Sequence, residues 1–423
     1  MKYDIWSPAE EKLHELYGNE IPQFVMERYR REKTLLQDTD VEMLLSFLRH
    51  LSMHFHDSKA TFTMRGGIGA SFVCWLLGIT EVNPLPAHYY CPHCRCLQFD
   101  GQKKYGWDLP EKCCACGETM LRDGMGTPWL AEIDLEKQIH VDVDIPGELQ
   151  DDVQQQLLSF FPGQAFIRAS FQQDDMVKYY FLSDEDNHEG YDQQDRIIRM
   201  NYRDASEQKY PYPSILFLKS WKDTLLWELC REKNIAPQRI PWLSDDTLRS
   251  YLQYTLPGIL YDDVYDNAAL IKEVCPADFG DLLLFLGFDH ATVKGYEEIK
   301  AIVRSRPQAI RDFDIYAEDI YECLLNHLKR NGILDEKLAV HVAAQARLGK
   351  YTRAGIDTET QKRLISIGLP DGYIQYLTKI RYLFPRGHML TRLARNIHLG
   401  WFCMNDSAIW AEIAGDHYRD LIV

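Results

Sequence analysis

Two features common in exported and membrane proteins are missing from this 423-residue chain. No uninterrupted apolar run reaches about 18 residues, so a membrane-spanning helix is not expected. The N-terminal segment lacks the apolar core of a secretory signal, which predicts a cytoplasmic location. Low-complexity tracts are also missing, and the 46% hydrophobic and 26% charged residues are typical of a soluble globular protein.

Positive charge is scarce over the chain as a whole. The net charge of −16 excludes a surface that is suited to nucleic acid throughout. Residues 341–400 are an exception, because they carry ten Lys and Arg residues against three acids. This segment predicts a local basic surface for nucleic-acid phosphate, with an ordinary solvated helical face as the alternative.

Local patterns predict helices first, then strands, then helices again. Residues 1–58 are predicted to be helical, with Ser7 and Thr39 as N-caps of the first and third helices and Gly18 as a stop signal. From residue 221 onward short helical segments are expected. The strands predicted between these regions are Ala60–Met64, Gln138–Ile145, Ala165–Phe171, Lys178–Leu182, Arg196–Tyr202 and Ser214–Lys219, with an acidic, mobile loop expected over Ser183–Asp195.

Two acids alternate with apolar residues in the clearest of these strands. Asp142 and Asp144 are separated by one residue, so they share a face of the strand. Carboxylates placed in this way can hold divalent cations between them, as in two-metal nucleotidyl transfer. The alternative is that the two acids lie on the solvent-exposed face of an ordinary strand.

Six of the eleven cysteines fall between Cys91 and Cys116. Cys91, Cys94, Cys113 and Cys116 form two Cys-x-x-Cys pairs, which predicts a closed structural Zn²⁺ site with four thiolate ligands. Two further thiols lie inside the segment, and either could replace one of the four ligands. These are Cys96 and Cys114.

A glycine-rich turn precedes a short apolar helix. It reads Arg65-Gly66-Gly67-Ile68-Gly69-Ala70-Ser71 and lies between a predicted strand and the helix. Backbone amides of such a turn can approach a phosphate, and the helix N-terminus adds a favourable dipole. A tight turn without a ligand would also explain the glycines.

In this order, the segments resemble the bacterial DNA polymerase III alpha subunit of the Gram-positive type, PolC. The resemblance is most specific in RGGIGASFVCWLLGITEVNPLP, which begins at Arg65. It continues through HYYCPHC and the second cysteine group, and through VDVDIPGELQ, which is similar to the family segment with two catalytic aspartates. LPDGYIQYLTKIRYLFPRGH is similar to the family stretch that ends in FPKAH.

The resemblance implies an α+β fold with a palm of the polymerase-beta-type nucleotidyltransferase class, in which helices pack on a mixed sheet. The implied organisation is an N-terminal helical region over 1–58, a palm-like domain over 59–222 and a helical fingers-like region over 223–423. A zinc-ribbon insert is expected at about 88–120 within the palm-like domain.

The family also implies roles for individual residues. Asp142 and Asp144 would be catalytic ligands of Mg²⁺. The remaining roles are nucleotide binding by Arg65, Gly66, Gly67 and Ser71, structural Zn²⁺ binding by Cys91, Cys94, Cys113 and Cys116, and nucleic-acid binding by Lys379, Arg381, Arg386 and His388.

The sequence departs from the family at the third catalytic aspartate, where Lys219 stands instead. Asp223 or Asp204 could substitute only with a shift of several residues. Three hypotheses follow. The first is a reduced, Mg²⁺-dependent DNA polymerase that acts on primer–template and deoxynucleoside triphosphates. The second is a catalytically inactive, polymerase-derived scaffold that binds nucleic acid or a protein partner, and the third is a nucleotidyltransferase with a smaller acceptor. Replication proteins are the partners that the family implies.

Overall fold

A computed structural model of the chain shows helices packed around a mixed sheet. No helix among the residues described is both long and apolar enough to cross a membrane. The structure describes residues 3–128, 140–171, 174–182, 196–208, 210–240, 245–253, 255–257, 260–261, 265–290 and 292–417. The predicted acidic loop over 183–195 lies outside these ranges.

Three helices form the N-terminal region. Thr39 caps the third by accepting the Val41 amide, and Gly18 ends the first with φ 72°, as predicted. The predicted Ser7 cap is wrong, because the first helix already begins at Trp6 and Asp4 accepts the amides of residues 6 and 7 instead. The helices are α1 (Trp6–Tyr17), α2 (Gln23–Leu36) and α3 (Asp40–Asp57).

A mixed sheet of six strands lies between residues 63 and 219. The strand order is β1-β5-β9-β7-β6-β8, in which β5 is parallel to β9, β6 is parallel to β8 and the other neighbours are antiparallel. The six strands are β1 (Thr63–Met64), β5 (His140–Ile145), β6 (Phe166–Phe171), β7 (Met176–Phe181), β8 (Ile197–Asn201) and β9 (Ser214–Lys219).

Short helices accompany this sheet, and its core also includes the N-terminal helices. Buried residues of α1 to α3 form one apolar core with Val141, Val143 and Phe217 of the sheet. The proposed boundary at residue 58 therefore separates segments that share a core. The accompanying helices are α4 (Phe72–Leu76), α5 (Gln150–Phe160) and α6 (Tyr202–Gln208).

The cysteine-rich segment carries a small antiparallel sheet of its own, with strand order β3-β2-β4. A separate small core supports it and includes Tyr89, Leu109 and Met120. Its strands are β2 (His88–Tyr90), β3 (Leu97–Phe99) and β4 (Leu121–Asp123).

The C-terminal half is helical and contains two apolar cores. One surrounds the long helix α17 (Arg386–Asn405). The other is built mainly by the five helices between residues 317 and 377. The remaining elements are α7 (Trp221–Glu232), α8 (Asp245–Leu252), α9 (Tyr265–Val274), α10 (Phe279–His290), β10 (Thr292–Val293), α11 (Tyr296–Ser305), α12 (Ala317–Arg330), α13 (Glu336–Arg347), α14 (Lys350–Ala354), α15 (Thr358–Ser366), α16 (Asp371–Leu377), β11 (Ile380–Tyr382) and α18 (Ser407–His417).

Candidate functional site

The acid-bearing strand and the glycine-rich turn are neighbours in the sheet. β1 pairs antiparallel with β5, which sets Thr63 opposite Asp144. The Arg65 amide then donates to the carbonyl of Asp142 at 3.0 Å. The turn therefore starts directly beside the two acids.

Asp144 is buried and is paired with an arginine. Nη1 of Arg65 lies 2.9 Å from Oδ1 and 3.2 Å from Oδ2 of its carboxylate. Burial raises the pKa of Asp144 to about 6, although the charge of Arg65 opposes this shift, and the nearby charge of Asp223 adds to it. One carboxylate of the predicted metal pair is thus already neutralised by a side chain of the protein.

Asp142 shares the face of the strand but has different surroundings. Its Oδ1 is buried without a hydrogen-bond partner among the residues that the structure describes. Lys178 of β7 lies on the same side, and burial lowers the pKa of this lysine while the charge of Asp142 counteracts the shift. The two acids therefore share a strand face, and only Asp144 is held by Arg65.

The neighbouring strand supplies no third acid to this face. In the parallel register of β5 and β9, Leu216 stands opposite Asp142 and Leu218 opposite Asp144. Lys219 stands opposite Ile145, and its aliphatic stem packs close to Gly147. The acid-bearing face therefore continues on β9 as leucine side chains.

A third carboxylate reaches the site from the first turn of α7. Asp223 is 2% exposed and lies in the wall of the same cavity as Asp144. Its Oδ1 accepts from Nε of Arg395 and from the Thr63 hydroxyl, each at 2.9 Å. Asp204, the other substitute considered from the sequence, is exposed on α6, which packs on β6 and β8 at the opposite end of the sheet.

The cavity between β1, β9, α7 and α17 has a volume of about 320 Å³. Asp144 and Asp223 are the carboxylates that the described residues contribute to its wall. Its basic side chains outnumber them and are those of Arg65, Lys219, Lys222, Arg392 and Arg395. This composition favours an anionic ligand over a pair of divalent cations.

The glycines of the turn allow close packing against α17. A Cβ on Gly69 would lie 2.8 Å from Cγ2 of Thr391 and 3.2 Å from the Gly387 carbonyl oxygen. Gly66 has φ 74°, and its amide hydrogen-bonds Nδ1 of His388 at 3.3 Å. Gly67 lies beside Pro385. The turn thus packs against the start of α17 through Gly66, Gly67 and Gly69.

A buried glutamate occupies the N-terminus of the helix that follows this turn. Ser71 donates to Oε2 of Glu32 at 2.7 Å, and the amides of Phe72 and Val73 donate to the same carboxylate, each at 3.0 Å. Ser71, predicted to lie near a triphosphate, is therefore engaged internally. Glu32 was not predicted, although it falls at helical spacing between Tyr29 and Leu36 on the buried face of α2.

Four cysteine sulfur atoms converge in the small sheet. The Sγ atoms of Cys91, Cys94, Cys114 and Cys116 lie within 4.8 Å of one another, which fits a single tetrahedral metal ion. The prediction of Cys113 as a ligand is corrected to Cys114. The backbone explains the change, because Cys113 pairs with Thr119 in a β-bridge and is exposed, while Cys114 is buried.

The predicted nucleic-acid residues divide into an exposed pair and a buried pair. Lys379 and Arg381 are exposed at β11. Arg386 is 0% exposed and binds Asp319 and Glu322 of α12, so its prediction as a nucleic-acid ligand is wrong.

His388 is also misassigned to the nucleic-acid surface. It is 2% exposed and stacks on Phe384 with ring centroids 5.1 Å apart. Its side chain is therefore part of the packing between α17 and the glycine-rich turn.

Comparisons with known proteins agree with the motifs. Residues 4–111 match the family model described as the bacterial DNA polymerase III alpha NTPase domain. The chain is 22% identical to DNA polymerase III PolC-type of Staphylococcus saprophyticus over 92% of its length, and 23% identical to that of Thermotoga petrophila over 97%. These alignments cover 31% and 35% of the relatives.

The chain thus spans about a third of the length of the curated relatives it matches. The PolC-type protein of Streptococcus thermophilus gives the same picture, with 22% identity over 95% of the chain and 33% of the relative. Over nearly all of its own length, this chain resembles PolC-type DNA polymerase III.

Proposed function

We propose that this chain is a polymerase-derived protein that binds DNA without carrying out metal-dependent DNA synthesis. The observation that carries the proposal is the pairing of Asp144 with Arg65 and of Asp223 with Arg395. Both carboxylates that face the cavity are thereby neutralised by cations of the protein itself. The comparisons with PolC-type polymerases support the derivation and the choice of DNA as ligand.

Mg²⁺ could bind these carboxylates only by displacing the arginine side chains that already pair with them. A divalent ion at Asp144 must compete with Arg65, and one at Asp223 must separate an ion pair that is almost completely buried. Breaking a buried pair costs about 3–5 kcal/mol, because the remaining partner keeps an uncompensated charge. The residues present therefore do not fit a site for two Mg²⁺ ions in this arrangement.

A second candidate function is retained nucleotidyl transfer with Mg²⁺, a DNA primer–template and deoxynucleoside triphosphates. The convergence of Asp223 on the cavity beside Asp144 favours it, because clustered carboxylates with a raised pKa are frequent at catalytic sites. In that case Asp142 and Asp144 would be the metal ligands. Other replication proteins would then be partners.

The surface proposed for DNA is the two-stranded antiparallel sheet of β10 and β11. Lys379 and Arg381 are exposed on it, and the Lys294 amide donates to the Lys379 carbonyl across the pair. Gly349 packs against the backbone of Arg381, which brings α14 and the exposed Arg353 to the same two-stranded sheet. This clustering of basic side chains suits the phosphate backbone of DNA.

Replacing Lys379 and Arg381 together by Gln is expected to weaken DNA binding. Two lost phosphate contacts should lower the slope of log K against log salt by about 1.8 for a duplex. Fluorescence anisotropy with a labelled primer–template at several salt concentrations measures this slope.

The matched control is Arg249→Gln/Arg306→Gln, which removes two exposed arginines that already pair with nearby acids. Asp142→Asn/Asp144→Asn is a second control, for which the dissociation constant for DNA should change by less than about twofold. Unchanged affinity and slope in the Lys379/Arg381 variant would contradict the proposed surface.

We further propose that the four-cysteine cluster holds Zn²⁺. Four thiolate ligands and no open position are typical of a structural zinc site. When bound, the ion would link Cys91 and Cys94, which follow β2, to Cys114 and Cys116, which precede β4. Reduced thiols in this role suit the cytoplasmic location predicted from the sequence.

A further inference from the structure

Two histidines lie about one helical turn apart on the same face of α3. His50 and His54 are separated by four residues, and Nε2 of each ring contacts a side chain of α5. Neither histidine lines the cavity described above or belongs to the proposed DNA surface. A pair of imidazoles at this spacing is an arrangement through which one helix supplies two ligands to a transition-metal ion.

The facing helix α5 supplies oxygen atoms at matching positions. Oδ2 of Asp152 lies 2.7 Å from Nε2 of His54, and Oε1 of Gln156 lies 3.0 Å from Nε2 of His50. Asp152 and Gln156 are also separated by four residues, so the two helices meet over two successive turns. The contact between α3 and α5 thus brings together two imidazole nitrogens and a carboxylate oxygen.

The set of donor atoms defines the class of ion. Imidazole nitrogen suits Zn²⁺, Ni²⁺ and Cu²⁺, whereas Mg²⁺ and Ca²⁺ prefer oxygen ligands. Two histidines and one acidic residue are a protein ligand set found at zinc sites, where water or another group takes the fourth position. The chemistry of the contact therefore favours a transition-metal ion over an alkaline-earth ion.

The ligand atoms are accessible, and one ring is held in place. The side chains of His54 and Asp152 are each 33% exposed, so an ion can reach them from solvent. His50 packs against Phe160 with ring centroids 5.0 Å apart, which fixes its ring beside the pair. Each Nε2 is now bonded to a different oxygen. An ion would replace these two hydrogen bonds, and we expect the partly exposed His54 to turn toward His50.

We propose that His50, His54 and Asp152 form a binding site for a divalent transition-metal ion, for which Zn²⁺ is the probe. The bound ion would link α3 to α5. The proposal goes beyond the DNA binding described above, since it uses none of the basic side chains near β10 and β11. It is also separate from the four-cysteine cluster, whose ligands are thiolates.

The test uses the full chain with its cysteine-bound metal retained. Zn²⁺ is titrated calorimetrically into the unmodified protein and into Asp152→Asn, which keeps an oxygen acceptor for His54 and removes the charge of the metal ligand. Asp151→Asn is the control, because it removes the same charge from the adjacent, exposed position of α5. His54→Gln and His56→Gln form a second matched pair, since His56 is exposed on the same helix.

We expect the unmodified protein to bind one Zn²⁺ in addition to the ion of the cysteine cluster. Its dissociation constant should rise at least about tenfold in Asp152→Asn and His54→Gln, and should change by less than about twofold in Asp151→Asn and His56→Gln. Hydrogen bonds that only join the helices predict no such difference. Absence of this binding event, or equal strength in all four variants, overturns the proposal.

A spectroscopic measurement identifies the ligands without any substitution. Co²⁺ bound by nitrogen and oxygen gives weak visible bands, whereas thiolate ligands add an intense charge-transfer band in the near ultraviolet. After the cysteine cluster has been filled with Zn²⁺, added Co²⁺ should give the weak bands alone, and growth of the thiolate band overturns the proposal. Lys379→Gln/Arg381→Gln should bind the ion as the unmodified protein does, so this proposal and the proposed DNA surface can fail separately.

Discussion

Cys114→Ser is expected to remove the metal ion from the four-cysteine cluster, whereas Cys113→Ser is expected to retain it. The reason is geometric, because Sγ of Cys114 lies 3.4 Å from Sγ of Cys94, while Cys113 is turned to solvent by its bridge to Thr119. Zinc binding by four-ligand sites of this kind contributes about 10–16 kcal/mol to the folded state. Its loss should loosen the small sheet.

The two substitutions form a matched pair, since they change adjacent residues in the same way. Zinc content by elemental analysis of protein purified without chelator, together with protease sensitivity of the segment, gives the answer. Equal zinc content in both variants, or loss only in Cys113→Ser, would contradict the assignment of Cys114.

Arg386→Met is expected to lower the free energy of unfolding by about 3–5 kcal/mol. Arg386 lies at the start of α17, where its Nη2 is 2.6 Å from Oδ1 of Asp319 and 3.1 Å from Oε2 of Glu322. Although burial opposes ionisation, Arg386 and Lys104 lower the pKa of Glu322 to about 2. Removing the guanidinium therefore leaves two partly buried acids with Lys104 as their remaining cationic partner.

Urea unfolding followed by circular dichroism measures this loss. Arg381→Met is the control, because it changes an exposed arginine close in sequence, where a loss under about 1 kcal/mol is expected. Similar losses in both variants would show that Arg386 does not stabilise the contact between α12 and α17.

Local sequence was sufficient for the elements whose pattern is complete within a few residues. The alternation around Asp142 predicted β5, and Ser214–Lys219 was predicted with the limits that the structure shows. Thr39 was predicted as a cap from the residues around it, and its hydroxyl oxygen accepts from the Val41 amide only two residues later.

The errors concern residues whose partners are distant in the chain. Spacing alone favoured Cys113 over Cys114, and only the hairpin shows which side chain turns inward. The family resemblance implied nucleic-acid binding by Arg386, and its acidic partners could not be recognised locally because they lie more than 60 residues earlier. Glu32 binds amides about 40 residues later, so no local pattern identifies its role.

The candidate site shows the same division. The family resemblance implied that the acids and the glycine-rich turn belong to one site, and β1 and β5 are neighbours in the sheet. The arginines that neutralise the acids did not, because Arg395 reaches Asp223 across 172 positions of the chain. The balance of charge in the cavity is a property of tertiary packing.

We propose above that Arg65 and Arg395 hold Asp144 and Asp223 and thereby prevent metal-dependent synthesis. Primer extension with Mg²⁺ or Mn²⁺, comparing the unmodified protein with Asp142→Ala/Asp144→Ala, tests it most directly. We expect no extension by either protein, under conditions in which both still bind the primer–template. Extension by the unmodified protein that disappears in the double variant would contradict it.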